Sequence, residues 1–299
     1  MKILVTGAKG FIGNNLCLRL EETGSYDLIK IDRDSTEEEL HSGLLEADFV
    51  FHLAGINRPK TAEEFSSGNV SLTRKIVSIL ESKVNITPIM FSSSTQASYD
   101  NAYGLSKASA EKCVEEYGDK TGADYFIYRF PNVFGKWCRP NYNSFIATFC
   151  HNIANDIEIN ISDPSAAVTL IYIDDLCSEM LSILDGQVTK GYPRVSPEFT
   201  TTVGDVAQLL YTFKNSRETL ITENVGSGFI RALYSTWLSY LRPEQFSYTV
   251  PSYSDNRGTF CEMLKTQSSG QFSFFTAHPT NIRLSDSQSF FLYHSKTEI

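Results

Sequence analysis

Clustered positive charge is missing from this chain. No run of Lys or Arg occurs in its 299 residues, and 26 basic side chains stand against 35 acidic ones, a formal net charge of −9. Nucleic acids and anionic membranes bind through concentrated basic patches, so neither is expected as the main partner. Phosphorylated small ligands stay open, because backbone amides and a few basic side chains suffice to hold them. Also missing is any apolar stretch of the about 20 residues that cross a bilayer, and no charged-then-apolar leader precedes the first strand-like run. A soluble, unexported, cytoplasmic protein is therefore expected. The six cysteines (Cys17, Cys113, Cys138, Cys150, Cys177 and Cys261) are scattered and form no C-x-x-C pair, which argues for free thiols over a disulfide framework or zinc ribbon. Repeats and low-complexity tracts are absent too. A hydrophobic content of 41% over this length supports one large domain plus a smaller one.

What is present begins with a glycine trio. Thr6-Gly7-Ala8-Lys9-Gly10-Phe11-Ile12-Gly13 follows the apolar run Ile3-Leu4-Val5 and reads as a strand, a tight turn and a helix N-terminus. Glycine is needed where the backbone turns sharply and approaches a dinucleotide pyrophosphate, whose charge the first free N–H groups of the helix meet. The G-x2-G-x2-G spacing with Thr in front resembles the short-chain dehydrogenase/reductase superfamily.

Strand-like and helix-periodic segments then alternate to about residue 185, which implies a parallel sheet covered on both faces. Strands are expected at 2–6, 27–31, 49–53, 88–91 and 125–130, and helices around Ile12, Leu16 and Leu20, at 70–83 and at 103–117. Residues 33–48 look helical, so a strand usual in this architecture is expected to be missing. Two helices after Thr201 lead to Pro243, a domain boundary. Domains are expected at 1–243 and 244–299, the second with short strands at 246–250, 259–264 and 272–277. The fold class is α/β, a Rossmann-type doubly wound parallel sheet followed by an incomplete cupin-like β segment.

Tyr103-x3-Lys107 supplies the candidate chemistry. A second match, Tyr26-x3-Lys30, lies on a predicted strand, where four residues span roughly 13 Å; on a helix, i and i+4 are neighbours. Only Tyr103 and Lys107 also follow a Ser92-Ser93-Ser94 run at the C-terminal end of a strand, where open α/β sheets bind ligands. A carbonyl reductase hands a proton to oxygen as hydride reaches carbon, and a phenol with pKa about 10 is a weak acid-base group at neutrality. A cation about 4 Å away is worth about 4 kcal/mol at an effective dielectric of 20, so Lys107 is expected to tune Tyr103 downward. By the resemblance, Lys107 also holds the nicotinamide ribose, and Ser94 hydrogen-bonds the substrate oxygen. The nine residues from Ser94 to Tyr103 are a short gap for the extended branch of this superfamily.

That branch, which acts on nucleotide sugars, is matched elsewhere. Phe51-His52-Leu53-Ala54-Gly55 is similar to its H-L-A-A segment lining the cofactor, and Asn69 matches the Asn on the following helix. Arg129-Phe130-Pro131-Asn132-Val133-Phe134-Gly135 is similar to R-x-x-N-V-Y-G, which implies that Asn132 faces the substrate diphosphate. Arg58 is a further substrate candidate, and Tyr172-Ile173-Asp174-Asp175-Leu176 matches a late V-x-D segment. His52 is expected to be a core residue, and Asp174 an N-cap. The cofactor set is Gly7, Lys9, Gly10, Phe11, Ile12, Gly13, Asp32, Arg33, Leu53, Ala54, Gly55 and Asn69, with Tyr103 and Lys107. Asp32 would bond a free ribose 2′-OH and favour NAD, whereas Arg33 and Lys9 could receive the 2′-phosphate of NADP. Two bases against one acid favour NADPH over NADH. Thr95-Gln96 stands where nucleotide-sugar dehydratases carry Asp-Glu, which leaves reduction or epimerisation.

Asp255-Asn256-Arg257-Gly258, Phe260 and Glu262, then Gly270 to Pro279 with His278, resemble the start of a cupin-type sugar epimerase barrel. The combination resembles the bifunctional capsular-polysaccharide enzymes of the CapF type. Membership implies NADPH reduction at C4 of a UDP-2-acetamido-2,6-dideoxy-hexos-4-ulose, zinc-bearing C3 epimerisation in the barrel, and a homodimer. After Pro279 this chain departs from the pattern. Tyr293-His294-x3-Glu298 offers two ligands where a site needs three or four, so an incomplete, metal-free barrel is expected, from truncation or a frameshift. Two other readings stay open, a 4-epimerase with tightly held NAD and a non-catalytic dinucleotide-binding protein.

Overall fold

β1 (Lys2–Thr6) is buried on both faces of a sheet: Ile3 and Val5 join one hydrophobic cluster and Leu4 the other. Such two-sided burial makes parallel strands read as unbroken apolar runs. The computed structural model describes residues 1–56, 66–267 and 270–277. Its main sheet contains β2 (Asp27–Ile31), β3 (Phe49–His52), β4 (Ile89–Ser94) and β5 (Tyr125–Phe130) in the order β2-β1-β3-β4-β5, all parallel. Succession runs outward from β1 to β2, then back across to β3. The C-terminal ends of β1 and β3 therefore flank the point where strand order reverses, the place such sheets bind ligands.

α1 (Phe11–Thr23) covers one face with Leu16, Cys17 and Leu20, beside α6 (Ile173–Leu184). Left-handed Gly24 ends α1, at φ +63°. The opposite face is covered by α2 (Glu37–Glu46), α3 (Leu72–Glu81) and α4 (Ala102–Thr121) through Leu40, Leu44, Ile76, Leu80, Val114 and Tyr117. α2 occupies the expected helical segment between β2 and β3. It starts in a capping box, with Thr36 Oγ1 accepting from Glu39 N at 3.1 Å and Glu39 Oε2 from Thr36 N at 2.7 Å. β6 (Asn132–Phe134), β7 (Ala167–Tyr172) and β8 (Phe199–Thr202) form a second small sheet. α5 (Phe145–Ala154), α7 (Val203–Thr219) and α8 (Gly228–Leu238) complete the helices. All six thiols are free. Among the described residues no helix is long and apolar enough to cross a membrane.

The chain divides into two compact units, Met1–Lys214 with Val225–Leu241, and Asn215–Asn224 with Arg242–Ile299. In the second, β9 (Ser252–Asp255), β10 (Gly258–Thr266) and β11 (Gly270–Ala277) form an antiparallel sheet in the order β11-β10-β9. The strand expected at 246–250 is not there. Pro243 starts a 3-10 turn over Pro243–Phe246, and Gln245 Oε1 accepts from Arg242 N at 2.8 Å. The chain enters the sheet only after Pro251, which has no N–H to give a ladder. His278, His294 and Glu298, the tail's candidate ligands, lie outside the described residues.

Candidate active site

Packing dictates the glycine turn. Gly7 has φ +69°, and a Cβ there would stand 2.9 Å from Ala54 N on the segment leaving β3. On Gly13 a Cβ would lie 2.1 Å from the Gly7 carbonyl oxygen, and on Gly10 3.0 Å from the same atom. α1 thus begins against the turn, with Gly10 as N-cap and no side-chain cap to occupy its free amides. This cradle, which any side chain would fill, fits a dinucleotide pyrophosphate at the helix N-terminus. Phe11 and Ile12 are its first helical residues.

A buried chain of hydrogen bonds joins β1, β3 and α3 behind the turn. Thr73 Oγ1 donates to Asn69 O at 2.8 Å, so it accepts from His52 Nε2 at 2.9 Å; His52 Nδ1 in turn accepts from Thr6 Oγ1 at 2.8 Å. Thr6 Oγ1 also accepts from Ala54 N at 3.1 Å. Burial pushes the His52 pKa down to about 3, with the Lys107 charge acting the same way. His52 is therefore a neutral imidazole holding the Leu53-Ala54 segment. Asn69 is equally committed: Oδ1 accepts from Ile56 N at 2.7 Å, and Nδ2 donates to Ile56 O and Ser106 Oγ, each at 3.0 Å. It ties the segment after β3 to α4 rather than presenting a free amide. A Cβ on Gly55 would come within 3.2 Å of Lys107 Nζ, so this glycine lets the segment approach the lysine.

At the end of β2, Asp32 Oδ2 accepts from Lys9 N at 2.6 Å and Oδ1 from Arg33 N at 2.7 Å. The Lys9 ammonium is 2.7 Å from Asp34, both side chains being well exposed. Arg33 is exposed beside them. The charge balance weighed from sequence omitted Asp34, so two acids face two bases here.

The candidate catalytic residues converge at the end of β4. Lys107 is buried, donates to Ser92 O at 2.7 Å and lies 4.9 Å from the Phe91 ring centroid. Burial lowers its pKa to about 8, with Glu111 opposing the fall. Tyr103, one helical turn earlier, is hydrogen-bonded to the Ser94 side chain; burial raises its pKa, and that bond partly opposes the rise. The downward tuning of Tyr103 expected from Lys107 is therefore replaced by a rise. Desolvation of the phenolate dominates, and Lys107 directs its proton at a backbone carbonyl.

The short Ser94-to-Tyr103 gap closes through a 3-10 turn at Thr95–Ser98, with Asn101 Oδ1 capping α4 by accepting from Gly104 N at 2.8 Å. Gly104 makes this possible, since a Cβ would lie 2.2 Å from Gln96 O. Its signal was legible as a glycine following the tyrosine, yet only the packed turn gives it meaning.

A cavity of about 650 Å³ opens one residue past Ser94 and is lined by Thr95, Tyr99, Arg129, Asn132, Tyr192 and Arg194 among others. Asn132, the first residue of β6, is exposed at its wall. Arg58 lies outside the described residues. Arg194 carried no signal in the sequence, and Glu111 only its place one turn after Lys107. Asp174 does not cap a helix: Tyr172 is the N-cap of α6, and Asp174 in the first turn pairs with Lys136 at 2.5 Å. α6 begins two residues earlier than a capping role for Asp174 requires. Among the described residues no three His, Cys, Asp or Glu side chains are placed to hold a metal.

A parallel sheet with a glycine cradle at its reversal point and a Ser-Tyr-Lys set at the end of β4 defines a dinucleotide-dependent short-chain dehydrogenase/reductase. The chain belongs to the NAD dependent epimerase/dehydratase family, which residues 3–195 match. Over all 299 residues it is 50% identical to UDP-2-acetamido-2,6-beta-L-arabino-hexul-4-ose reductase of Pseudomonas aeruginosa, spanning 79% of that protein. In structure it is similar to the capsular polysaccharide assembling protein CapF from Staphylococcus aureus, with a TM-score of 0.84 and 45% identity over 91% of this chain and 74% of that one. UDP-glucuronic acid 4-epimerase from Bacillus cereus, solved with NAD, shares the fold at a TM-score of 0.68 and 18% identity, over 80% of this chain and 98% of its own.

Proposed function

We propose that the chain reduces the C4 keto group of a UDP-2-acetamido-2,6-dideoxy-hexos-4-ulose, with NADPH as the preferred cofactor. The observation that carries this reading is the Ser94–Tyr103 hydrogen bond one helical turn from buried Lys107. The similarity to a reductase of a UDP-4-keto-6-deoxy sugar over the whole chain supports the substrate class. When bound, the reduced nicotinamide supplies the hydride that the carbonyl carbon accepts. Tyr103 gives its proton to the carbonyl oxygen, and its raised pKa keeps that proton in place at neutral pH. Ser94 orients the same oxygen. Lys107, held by Ser92, has its ammonium beside the segment after β3, where it would hold the nicotinamide ribose. Arg129, Asn132 and Arg194 give the cavity the donors a sugar diphosphate needs. Every residue assigned a role here belongs to the first unit.

NADPH rests on Lys9 and Arg33, the two cations at the end of β2. The Lys9–Asp34 pair is well exposed and therefore weak, little against a phosphate dianion. The deciding experiment follows NADPH oxidation with the UDP-4-keto sugar, for the wild type and Tyr103→Phe. Turnover lost in the variant supports the reading, and equal turnover in both removes it. Asp32, an acceptor at the ribose position, is the feature favouring a 4-epimerase with resident NAD. Cofactor that copurifies and resists dialysis, with no net oxidation, would establish that alternative.

A further inference from the structure

Glu111 is a carboxylate in the interior, only 2% exposed, and it receives four donors. Ser93 Oγ donates to Oε1 at 2.5 Å, and Arg129 Nε to the same oxygen at 2.9 Å. Arg129 Nη2 donates to Oε2 at 2.6 Å, and the Tyr192 hydroxyl to Oε2 at 3.4 Å. Taking a carboxylate out of water costs several kcal/mol unless such partners satisfy it, and an apolar residue of similar size is often no worse for stability. Its partners are not scattered. Ser93 lies between Ser92, which holds Lys107, and Ser94, which meets Tyr103. Arg129 is the register partner of Ser93 on β5, and its side chain, 40% exposed, lines the cavity. Tyr192, on the same wall, is stacked 5.1 Å from that guanidinium.

We infer that Glu111 is a positioning residue that couples the sugar-nucleotide cavity to the catalytic strand end, aiming Arg129 into the cavity and setting a carboxylate one helical turn beyond Lys107. The inference rests on the reductase reading for the identity of the ligand. Arg129 binds Glu111 edge-on through Nε and Nη2, and its Nη1 donates to Ser98 Oγ at 3.3 Å on the cavity wall, so the fork is fixed facing the cavity. Among the described residues, the titratable groups near Lys107 are Glu111 and Tyr103, each one turn away on α4, and His52 on β3. β4 presents only the Phe91 ring and the Ser92 carbonyl, and Asn69 and Gly55 bring no charge. His52 is neutral and Tyr103 protonated near pH 7, so neither opposes the support that Glu111 gives the ammonium.

The test compares Glu111→Gln and Glu111→Asp with the wild type in two measurements, UDP affinity by titration and the pH dependence of NADPH-driven turnover across roughly pH 6 to 10. Glu111→Gln should weaken UDP binding and raise the sugar KM by about tenfold, as loss of a charged hydrogen bond does. It should also move the alkaline limb of kcat down by about one pH unit, because Lys107 loses its supporting charge. Glu111→Asp keeps the charge but not the reach, so it should raise KM and leave the limb in place. Wild-type KM, UDP affinity and limb in Glu111→Gln would overturn the inference, as would a raised KM with an unmoved limb, the mark of a purely structural loss. If Glu111→Gln fails to fold, an unchanged KM in Glu111→Asp overturns it instead. A wild type that turns nothing over, with UDP binding still weakened by Glu111→Gln, supports the positioning and sinks the reductase reading.

Discussion

A Cβ on Gly13 would stand 2.1 Å from the carbonyl oxygen of Gly7, closer than any non-bonded contact allows. Backbone faces backbone there, so no side chain can give way. Gly13→Ala should push α1 off the turn and weaken NADPH binding more than tenfold, at a stability cost of about 1–3 kcal/mol. Fluorescence titration and thermal melting check the two parts. Binding of wild-type strength would mean that the cradle does not hold the pyrophosphate.

Tyr103→Phe keeps the ring in its half-buried site and deletes the hydroxyl bonded to Ser94. NADPH affinity should stay within a factor of about two, while kcat falls at least about 10²-fold, the size of a lost general acid. Single-turnover kinetics at saturating cofactor separate the two effects.

Charge at the end of β2 gives a cofactor prediction. Asp34 holds Lys9 at 2.7 Å and would repel a 2′-phosphate. Asp34→Asn should tighten NADPH about two- to fivefold relative to NADH, and Lys9→Ala should loosen it by a similar factor, the scale of exposed charge pairs. Both effects should shrink in high salt. An NADPH-to-NADH ratio that moves with neither variant would place the discrimination elsewhere.

His52 predicts an acid dependence of stability. Its pKa falls from 6.5 to about 3 on folding because burial penalises the imidazolium. Between those values the unfolded chain binds a proton that the folded chain does not, so stability is full above about pH 6.5 and is lost as pH falls toward about 3. The loss reaches several kcal/mol at its order of magnitude. Urea unfolding of His52→Gln should start lower at neutral pH and fall less steeply through this window. An equally steep fall would assign the acid sensitivity to other groups.

Much of this architecture was legible because the signals are local. A glycine forced to positive φ and a Tyr-Lys pair at helical spacing act within a few residues, and each appears where the pattern put it. The strand expected at 246–250 failed for an equally local reason: Pro243 starts a 3-10 turn that runs to Phe246, and Pro251 has no N–H to give a ladder. Asp174 failed because α6 starts two residues earlier, at Ile173, a boundary that a pattern of apolar residues does not fix.

The amino-acid sequence by itself determined the order of strands and helices, the glycine cradle and the Ser, Tyr and Lys types at the end of β4, because backbone conformation and side-chain periodicity are short-range properties. Only the tertiary structure decided which way the charges act. It brought Asp34 onto Lys9, committed Asn69 to the chain after β3, raised Tyr103 instead of lowering it, and buried Glu111 between Ser93 and Arg129. These outcomes depend on desolvation and on strand register between residues far apart in the chain. Neither quantity exists until β4 and β5 lie side by side and α4 closes over them.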